Sequence, residues 1–394
     1  MDKKVRFGIV GLGNQGSMYM KIFNGDYAEE GNVVANGEVT AVCDNNPEKL
    51  AAAKAVYGDK VVYFDDAETM FRSGLIDIAM IETPHYFHPE LAVKALRAGL
   101  HVCIEKPAGV YTKQVKEMLS EVDKYPDRIF GVMFNQRTNP AYKKMKEMIA
   151  AGDIGQVTRT SWIITTWFRP QFYYDSGNWR ATWAGEGGGV LYNQAPHQLD
   201  LFQWIPGLIP NKVSAFCHEG KWHDIEVEDD VTAYLEYPNG ATGVFVTTTG
   251  DGTGTNRLEI TGTKGKLVCD ADELWYYKSA EDCLAFSKTC QKAFASIPCE
   301  KIKVDVPKHE TSEHVDILNN LANAILGFEP LYADGREGIN GVELANAMCL
   351  SSWLGKPVSL PVDADLYWAE LQKRIKTSRL KTGKETVATE MTFK

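Results

Sequence analysis

The stretch that decides the fold lies near the start of the chain and reads Val5-Arg6-Phe7-Gly8-Ile9-Val10-Gly11-Leu12-Gly13-Asn14-Gln15-Gly16. An apolar run ends in three glycines at the spacing Gly-x-Gly-x-x-Gly, and an amphipathic helical pattern follows. In this order, the first glycine makes the turn, the second admits a pyrophosphate and the third lets helix and strand pack closely. The pattern predicts a dinucleotide-binding turn formed by Gly11, Gly13, Asn14, Gln15 and Gly16.

Residues 1–136 continue this pattern, because short apolar runs alternate with helical segments. One helix is predicted at Pro89–Ala98, where proline suits the first turn and Gly99 suits the end. Strands separated by such helices imply right-handed βαβ units and a mostly parallel sheet. We predict a doubly wound α/β Rossmann domain over 1–136. Its strands are predicted at Val5–Val10, Val39–Cys43, Val61–Phe64, Ile76–Ile81, His101–Ile104 and Ile129–Phe134.

Residues 137–394 have a different pattern. Alternating segments flank Pro238-Asn239-Gly240 and Thr263-Lys264-Gly265, which are hairpin signals. Two consecutive hairpins favour an antiparallel sheet, and one-sided alternation indicates a covered face. Helical patterns return at 313–326 and 338–353. We predict a second, α+β domain over 137–394 with a mainly antiparallel sheet.

Composition limits the partners and the compartment. The net charge of −10 disfavours nucleic acid, and no segment approaches the roughly 18 apolar residues of a membrane span. The eight cysteines contain no Cys-x-x-Cys pair and fit no common zinc spacing. The amino terminus leads straight into the glycine turn without a signal-peptide pattern. We expect a cytoplasmic protein with no metal and no nucleic-acid or membrane partner.

Asp44 ends the second predicted strand, 28 residues after Gly16. A carboxylate there can accept both ribose hydroxyls of NAD, although the usual spacing is about 20 residues. We assign the extra length to a loop at 24–37, and no arginine follows Asp44 to neutralise a 2′-phosphate. The pattern therefore favours NAD over NADP. The alternative is that Asp44 merely caps the helix predicted near Pro47.

Polar side chains follow the predicted strands where these end. Parallel strands all end on the same edge of a sheet, and ligands bind at that edge. The segments Glu82-Thr83-Pro84-His85 and Glu105-Lys106-Pro107 are therefore expected to face one crevice, together with Asn135. We assign cofactor contacts to Thr83, Pro84, His85, Glu105, Lys106 and Asn135.

Lys106 is the candidate catalytic cation of this edge. It directly follows an apolar strand and precedes Pro107, which fixes the backbone. An ammonium group held there can hydrogen-bond the reacting oxygen and stabilise a developing alkoxide, so we also assign Lys106 to the substrate. Glu105 can pair with it. The alternative is a lysine that is only solvated.

A second candidate cluster lies at 187–200, where a glycine run leads into a helix predicted to begin at Pro196. His197 falls in the first turn, where the helix dipole disfavours the imidazolium form. Abstraction of a carbinol proton needs a neutral imidazole, so His197 is a catalytic and substrate-binding candidate. Asn193 lies just before the helix and is assigned to orient the substrate hydroxyl. The alternative is that His197 is a cap or a core group.

Eight aromatic residues and two arginines fall within the 22 residues 162–183. Aromatic rings stack on the C–H faces of sugars, and arginines hold hydroxyls or phosphates. Arg169 and Tyr174 are assigned to the substrate, and Trp179 and Arg180 to the cofactor. The alternative is that these rings pack in a core, but their density favours a pocket wall.

These motifs resemble those of the glucose–fructose oxidoreductase / inositol dehydrogenase / rhizopine-catabolism (Gfo/Idh/MocA) family. The shared features are the glycine turn, Glu105-Lys106-Pro107 and the glycine-rich segment that leads to His197 and Asp200. The resemblance spans nearly the whole chain. It implies an open sheet in the second domain that supplies substrate contacts and often oligomer contacts, and a homo-oligomer (dimer or tetramer).

The resemblance also implies roles for single residues. Lys106 would be the family lysine and His197 the acid/base histidine. Asn193 stands where many members carry aspartate, which shifts the proton transfer towards His197 and Lys106. His85 stands where asparagine is common, in a Thr-Pro-x-x-x-His motif that ends at His88, which is also assigned to the cofactor. The aromatic segment looks most like members that act on glycosides or pyranoses, several of which oxidise C3.

Three functions follow from this resemblance. The first is hydride transfer between a sugar carbinol, expected at C3 of a pyranose, and NAD. The second is a net glycosidase that recycles NAD through transient C3 oxidation and elimination, and the sequence does not separate it from the first. The third is a non-catalytic sensor of sugar and NAD, which the presence of Lys106 and His197 disfavours.

Overall fold

The computed structural model describes residues 4–26 and 32–379. Residues 27–31 of the predicted loop at 24–37 therefore lie outside the described residues. The elements up to residue 138 are β1 (Val5–Val10), α1 (Asn14–Asn24), β2 (Gly37–Cys43), α2 (Pro47–Tyr57), β3 (Val62–Phe64), α3 (Ala67–Phe71), β4 (Ile78–Ile81), α4 (His88–Arg97), β5 (His101–Ile104), α5 (Thr112–Val122) and β6 (Phe130–Val132). Short 3-10 turns lie at Gly58–Lys60, His85–Phe87 and Asn135–Thr138.

The later elements include most of the strands. They are α6 (Pro140–Ala150), β7 (Val157–Ile164), α7 (Gln171–Asp175), α8 (Pro196–Trp204), β8 (Lys212–Glu219), β9 (Glu228–Glu236), β10 (Thr242–Thr248), β11 (Asn256–Gly262), β12 (Gly265–Asp270), β13 (Glu273–Ser279), α9 (Cys283–Thr289), β14 (Cys299–Lys303), α10 (Glu313–Leu326), α11 (Gly338–Leu354), β15 (Val358–Ser359) and α12 (Ala364–Thr377). A further 3-10 turn lies at Gly335–Glu337. Within the described ranges, no helix combines the length and the apolar character needed to cross a membrane.

The chain forms two compact units that do not follow the order of the sequence. The first unit comprises Met1–Thr138 and His309–Val342, and the second comprises Asn139–Lys308 and the residues from Glu343 on. The sequence analysis instead places all of 137–394 in one domain. The difference arises because α10 buries its apolar face in the core of the first unit. The buried residues of α10 in that core are Val315, Ile317, Leu318, Leu321 and Ala322.

The first unit is built on a parallel sheet with the strand order β3-β2-β1-β4-β5-β6. Each neighbouring pair in this sheet runs parallel. Apolar side chains such as Phe7, Ile9, Met80 and Ile104 are fully buried in its core. The predicted doubly wound Rossmann fold is confirmed. The strand order reverses between β1 and β4, and ligands of such sheets bind at the carboxyl ends of the strands around this point.

The second unit is built on a sheet with the order β14-β13-β12-β11-β7-β10-β9-β8-β15. Only β7 and β10 pair in parallel among these described strands, so the predicted mainly antiparallel sheet is confirmed. Both predicted hairpins are present, as β9–β10 and β11–β12. Helices α6 and α8 cover one face, where Trp162 of β7 contacts Tyr142 and Phe202.

Candidate functional site

The glycine turn joins β1 to α1, and each glycine has the geometry predicted for it. Gly11 has a φ of 99°, a left-handed conformation that favours glycine. A Cβ at Gly16 would lie 1.9 Å from the carbonyl oxygen of Gly11, so helix and strand approach this closely only with glycine. A Cβ at Gly13 would meet no described atom within 4 Å. Asn14 and Gln15 begin α1, and the backbone amides at the amino terminus of a helix suit a phosphate.

Asp44 follows β2 and is bonded to the glycine turn. Its Oδ2 accepts a hydrogen bond from the amide of Leu12 at 2.7 Å, and its Oδ1 accepts one from the amide of Asn46 at 2.8 Å. The cap of α2 is Asn46, whose side chain accepts from the amide of Glu48. The alternative that Asp44 caps this helix is therefore wrong. Asp44 instead orients the turn.

Lys106 follows β5 and is fixed by its neighbour Glu105. The backbone amide of Lys106 donates to Oε2 of Glu105 at 3.0 Å, and the hydroxyl of Tyr19 donates to Oε1. Burial raises the pKa of Glu105, while the charge of Lys106 and the hydrogen bonds from Tyr19 and Gln15 oppose that shift. Glu105 therefore links the strand end that carries Lys106 to helix α1.

Two further titratable residues lie near Lys106 in the first unit. Glu82 is expected at the crevice from the sequence but has no assigned role, and His314 is not predicted there. Glu82 follows β4 next to Glu105, because β4 and β5 end in register. Burial and the neighbouring charge of Glu105 raise the pKa of Glu82. On α10, burial and the charge of Lys106 lower the pKa of His314 to about 4. The imidazole of His314 is therefore neutral at neutral pH.

His88 connects the ends of two strands. Its Nδ1 lies 2.8 Å from the carbonyl oxygen of Pro107, and its Nε2 lies 2.6 Å from that of Thr83. Carbonyls only accept, so both contacts are complete when the ring carries two protons, whereas burial lowers the pKa of His88. Both ring nitrogens are thus engaged inside the unit, which makes His88 a residue that positions Thr83 and Pro107. The ring of His85 lies 5.9 Å from that of His88.

Two predicted cofactor residues have buried polar atoms without a hydrogen-bond partner among the described residues. These atoms are Oγ1 of Thr83 and Oδ1 of Asn135, whereas Nδ2 of Asn135 donates to Glu313 at 3.3 Å. Buried polar atoms are normally hydrogen-bonded, so these two atoms are positions where a bound molecule or an ordered water can supply the partner. Together with the open space at Gly13 and the carboxylate of Asp44, these residues fit a dinucleotide.

In the second unit, His197 lies in the first turn of α8, as the sequence predicts, with Pro196 at the first helical position. The loop before the helix is held by Glu228, whose Oε1 accepts the amides of Gly189 at 2.8 Å and Leu191 at 3.1 Å. Burial raises the pKa of Glu228 to about 8. The sequence analysis does not include Glu228, because no motif connects it to the loop that it holds.

Asn193 lies at the centre of a polar network in the second unit. Its Nδ2 donates to Glu186, a carboxylate that is 2% exposed. Its Oδ1 accepts from the hydroxyl of Tyr173 at 3.1 Å and from Nε2 of Gln194 at 3.2 Å. The Tyr173 hydroxyl in turn accepts from Arg180 at 2.7 Å. The network therefore fixes the orientation of the Asn193 amide.

The aromatic residues of 162–183 divide between core and surface. Trp162, Tyr174 and Trp183 are buried, and the hydroxyl of Tyr174 donates to Thr249 at 2.7 Å. The structure thus places Tyr174, predicted to bind substrate, in the core of the second unit. The core interpretation holds for these three rings, because Trp162 lies on β7, Tyr174 contacts Thr249 just after β10, and Trp183 packs against Trp353 of α11.

Several half-buried side chains of the same segment lie close to Tyr173 or to one another. Arg169, Trp179 and Arg180 are all half-buried. The guanidinium carbon of Arg180 lies 4.7 Å from the ring centroids of both Tyr173 and Trp179, and that of Arg169 lies 5.2 Å from the centroid of Tyr173. The structure thus brings Arg169 and Arg180 together on a tyrosine that was not singled out from the sequence, and Arg180 also contacts Trp179.

Comparison with known proteins identifies the family. Residues 5–134 match the oxidoreductase family with an NAD-binding Rossmann fold, and residues 142–268 match the GFO/IDH/MocA C-terminal domain. Together the two matches cover more than half of the chain. The chain belongs to the Gfo/Idh/MocA family. The resemblance in the motifs is therefore confirmed, and the first unit of this Gfo/Idh/MocA protein is an NAD-binding Rossmann domain.

Curated relatives in the Gfo/Idh/MocA family include dehydrogenases of sugars and polyols. Levoglucosan dehydrogenase from Pseudarthrobacter phenanthrenivorans is 27% identical over 58% of this chain and 63% of the relative. Myo-inositol 2-dehydrogenase from Thermotoga maritima is 26% identical over 68% of this chain and 75% of the relative. The chain therefore spans less than two thirds of the length of the first of these relatives.

A solved structure resembles almost the whole chain. The WlbA dehydrogenase from Bordetella pertussis, in complex with NADH and UDP-GlcNAcA, has a TM-score of 0.74 and 27% identity. The alignment covers 92% of this chain and 100% of that chain. The two-domain architecture of Gfo/Idh/MocA proteins therefore extends over nearly all of the described residues.

Proposed function

We propose that the protein is an NAD-dependent sugar dehydrogenase that oxidises a carbinol of a pyranose or glycoside, with C3 as the position. The observation that carries the proposal is Lys106, a lysine at the carboxyl end of β5 whose backbone amide is held by Glu105, in the same unit as the glycine turn. Levoglucosan dehydrogenase and the WlbA dehydrogenase, which binds NADH and a nucleotide sugar, support the substrate class.

In this proposal each polar group has one task. The imidazole of His197 accepts the proton of the substrate hydroxyl, and the ammonium group of Lys106 hydrogen-bonds the oxygen as negative charge develops on it. Asn193 orients that hydroxyl. The chemistry that a bound NAD would supply is acceptance of the hydride from the carbinol carbon. The neutral His314 adds no second positive charge beside Lys106.

The residues proposed to hold NAD lie in the first unit. Gly11, Gly13 and Gly16 form the turn for the pyrophosphate, and Asp44 is proposed to accept the ribose hydroxyls. Thr83 Oγ1 and Asn135 Oδ1, which have no partner among the described residues, supply further hydrogen bonds.

Replacing Lys106 tests the role of this side chain. Lys106→Ala should lower kcat/KM for the sugar by about 100- to 1000-fold, the usual loss when a stabilising donor is removed from a developing oxyanion. Binding of NADH, measured by calorimetry, should persist. Lys144→Ala is the matched control, because this lysine is exposed and lies 3.8 Å from Glu147. Undiminished turnover in Lys106→Ala would refute the proposed role.

A panel of C3-deuterated glycosides, read by mass spectrometry, tests the reaction itself. Label on NADH together with a 3-keto sugar supports the dehydrogenase. Release of the aglycone without net NADH indicates the redox-assisted glycosidase instead. Binding of sugar and NAD without either product indicates a sensor and contradicts the proposal.

A further inference from the structure

Two positively charged groups of the second unit share one aromatic ring. The guanidinium carbons of Arg180 and Arg169 lie 4.7 Å and 5.2 Å from the centroid of the Tyr173 ring. The two charges are therefore within roughly 10 Å of each other, a distance close to the Debye length of about 8 Å at physiological salt. Because both side chains are half-buried, water screens their repulsion less than it would on an open surface.

The polar contacts of both side chains are with neutral groups. Arg169 donates to the carbonyl oxygens of Phe168 at 3.0 Å and Trp167 at 3.4 Å, and Arg180 donates to the hydroxyl of Tyr173. Within residues 4–26 and 32–379, no carboxylate forms an ion pair with either arginine. Other arginines of the described chain do form ion pairs: Arg6, Arg72, Arg97, Arg137, Arg257, Arg336 and Arg374.

The carboxylate in the same network, Glu186, accepts hydrogen bonds from two other groups. Glu186 accepts from Nδ2 of Asn193 with one oxygen and from the amide of Ala181 with the other. It is only 2% exposed, and both of these donors are neutral. The donor forks of the two arginines are therefore not taken up by these two hydrogen bonds of Glu186.

We propose that Arg169 and Arg180 form a subsite for an anionic group on the sugar, so that the substrate is an acidic or phosphorylated sugar. The planar donor fork of arginine matches both carboxylate and phosphate, and two forks beside one anion would relieve the repulsion between them. The ring of Tyr173 keeps both guanidinium groups in place. This inference rests on the proposed function, because it names the substrate of the same reaction.

The competing source of an anion is the pyrophosphate of the cofactor, to which the sequence analysis assigns Arg180. The two sources differ in what they predict. A subsite for the substrate makes the arginines discriminate between charged and neutral sugars. If the arginines instead contact the cofactor, their replacement should change the KM for NAD and should affect kcat/KM equally for all sugars.

The test compares matched sugars in wild type, Arg169→Met and Arg180→Met. We expect kcat/KM to be higher for a glucuronide or a glucose 6-phosphate than for the neutral glucoside. Each variant should lower the ratio of acidic to neutral kcat/KM by about tenfold or more, the loss expected for one charge-assisted hydrogen bond. The matched control is Arg159→Met, because Arg159 is an exposed arginine of the same unit. It should leave the ratio unchanged.

Several outcomes separate the possibilities. If the variants lose more kcat/KM with the glucuronide, the subsite binds a carboxylate. If they lose more with glucose 6-phosphate, it binds a phosphate. Equal losses on all sugars, or a change confined to the KM for NAD, would overturn the subsite. So would a preference of the wild type for neutral sugars.

A binding measurement distinguishes this failure from failure of the proposed function. Calorimetry of glucuronate or glucose 6-phosphate with the NADH-loaded protein needs no turnover. Binding that Arg169→Met weakens would support the subsite even if no sugar is oxidised, whereas oxidation of neutral sugars alone would support the dehydrogenase without the subsite. Arg169→Lys, which keeps the charge but loses the fork, provides a milder variant if methionine impairs folding.

Discussion

Asn193 donates a hydrogen bond to the buried carboxylate of Glu186, and this pairing makes the identity of residue 193 testable. Asn193→Asp would replace the donor with a second carboxylate facing the first. We expect the free energy of unfolding to fall by about 1–3 kcal/mol at pH 8, because a buried acceptor loses its donor. The loss should shrink at pH 5, because two facing carboxyl groups that share one proton no longer repel each other. Urea denaturation at both pH values measures this difference.

The double variant Glu186→Gln/Asn193→Asp is the control for this prediction. It moves the carboxylate from position 186 to position 193 and restores a pairing of amide donor and carboxylate acceptor. The amide oxygen of the new glutamine can still accept from Ala181. We therefore expect the double variant to regain most of the lost stability. A double variant as unstable as Asn193→Asp would mean that the contact between these two side chains is not what matters.

At the scale of elements, two glycines of the turn between β1 and α1 allow an effect on cofactor binding to be distinguished from an effect on packing. A Cβ at Gly16 would lie 1.9 Å from a backbone oxygen, so Gly16→Ala should lower both the melting temperature and the affinity for NADH. Gly13 has φ −73°, which alanine adopts, and its Cβ would meet open space. Gly13→Ala should keep the melting temperature and lower NADH affinity by about tenfold or more, as a methyl group obstructs the pyrophosphate. Unchanged affinity in Gly13→Ala would contradict the assignment of this turn.

The same elements show which features local sequence can predict. The glycine turn, the parallel strands and the start of α8 at Pro196 depend on neighbouring residues, and all of them are found as predicted. Periodicity also predicts α10, but it does not say which core receives the helix. His314 therefore escapes prediction, because it approaches Lys106 only through the return of α10 to the first unit.

Other side chains of the site could also not be predicted from the local sequence. Glu228 lies almost 40 residues after the loop that it holds, and no spacing rule connects them. Tyr173 belongs to a dense aromatic segment in which some rings are buried and others are exposed, and composition does not separate the two groups. In each of these cases the missing information is tertiary contact rather than local propensity.

At the scale of the whole molecule, tryptophan fluorescence isolates one unit from the other. The chain has nine tryptophans, and all of them fall within Asn139–Lys308 or after Glu343. The first unit therefore contributes no tryptophan signal. Because a protein of two units need not unfold in one step, this distribution lets the stability of the second unit be followed by itself.

Glu228 makes the stability of that second unit depend on pH. Burial raises its pKa to about 8, whereas the unfolded chain releases the proton near the ordinary value of 4.5. Between these values the folded state binds more protons than the unfolded state, so the free energy of unfolding falls as the pH rises. From pH 5.5 to 8.5 this one group should cost about 3 kcal/mol.

Glu228→Gln should remove most of this dependence, because the neutral amide can still accept from Gly189 and Leu191 with its oxygen. The free energy of unfolding of the variant, measured in urea by tryptophan fluorescence, should therefore differ less between pH 5.5 and pH 8.5 than that of the wild type. Glu236→Gln is the matched control, because Glu236 lies on the same strand with its side chain 44% exposed. If Glu228→Gln keeps the pH dependence of the wild type, another group must be responsible for it.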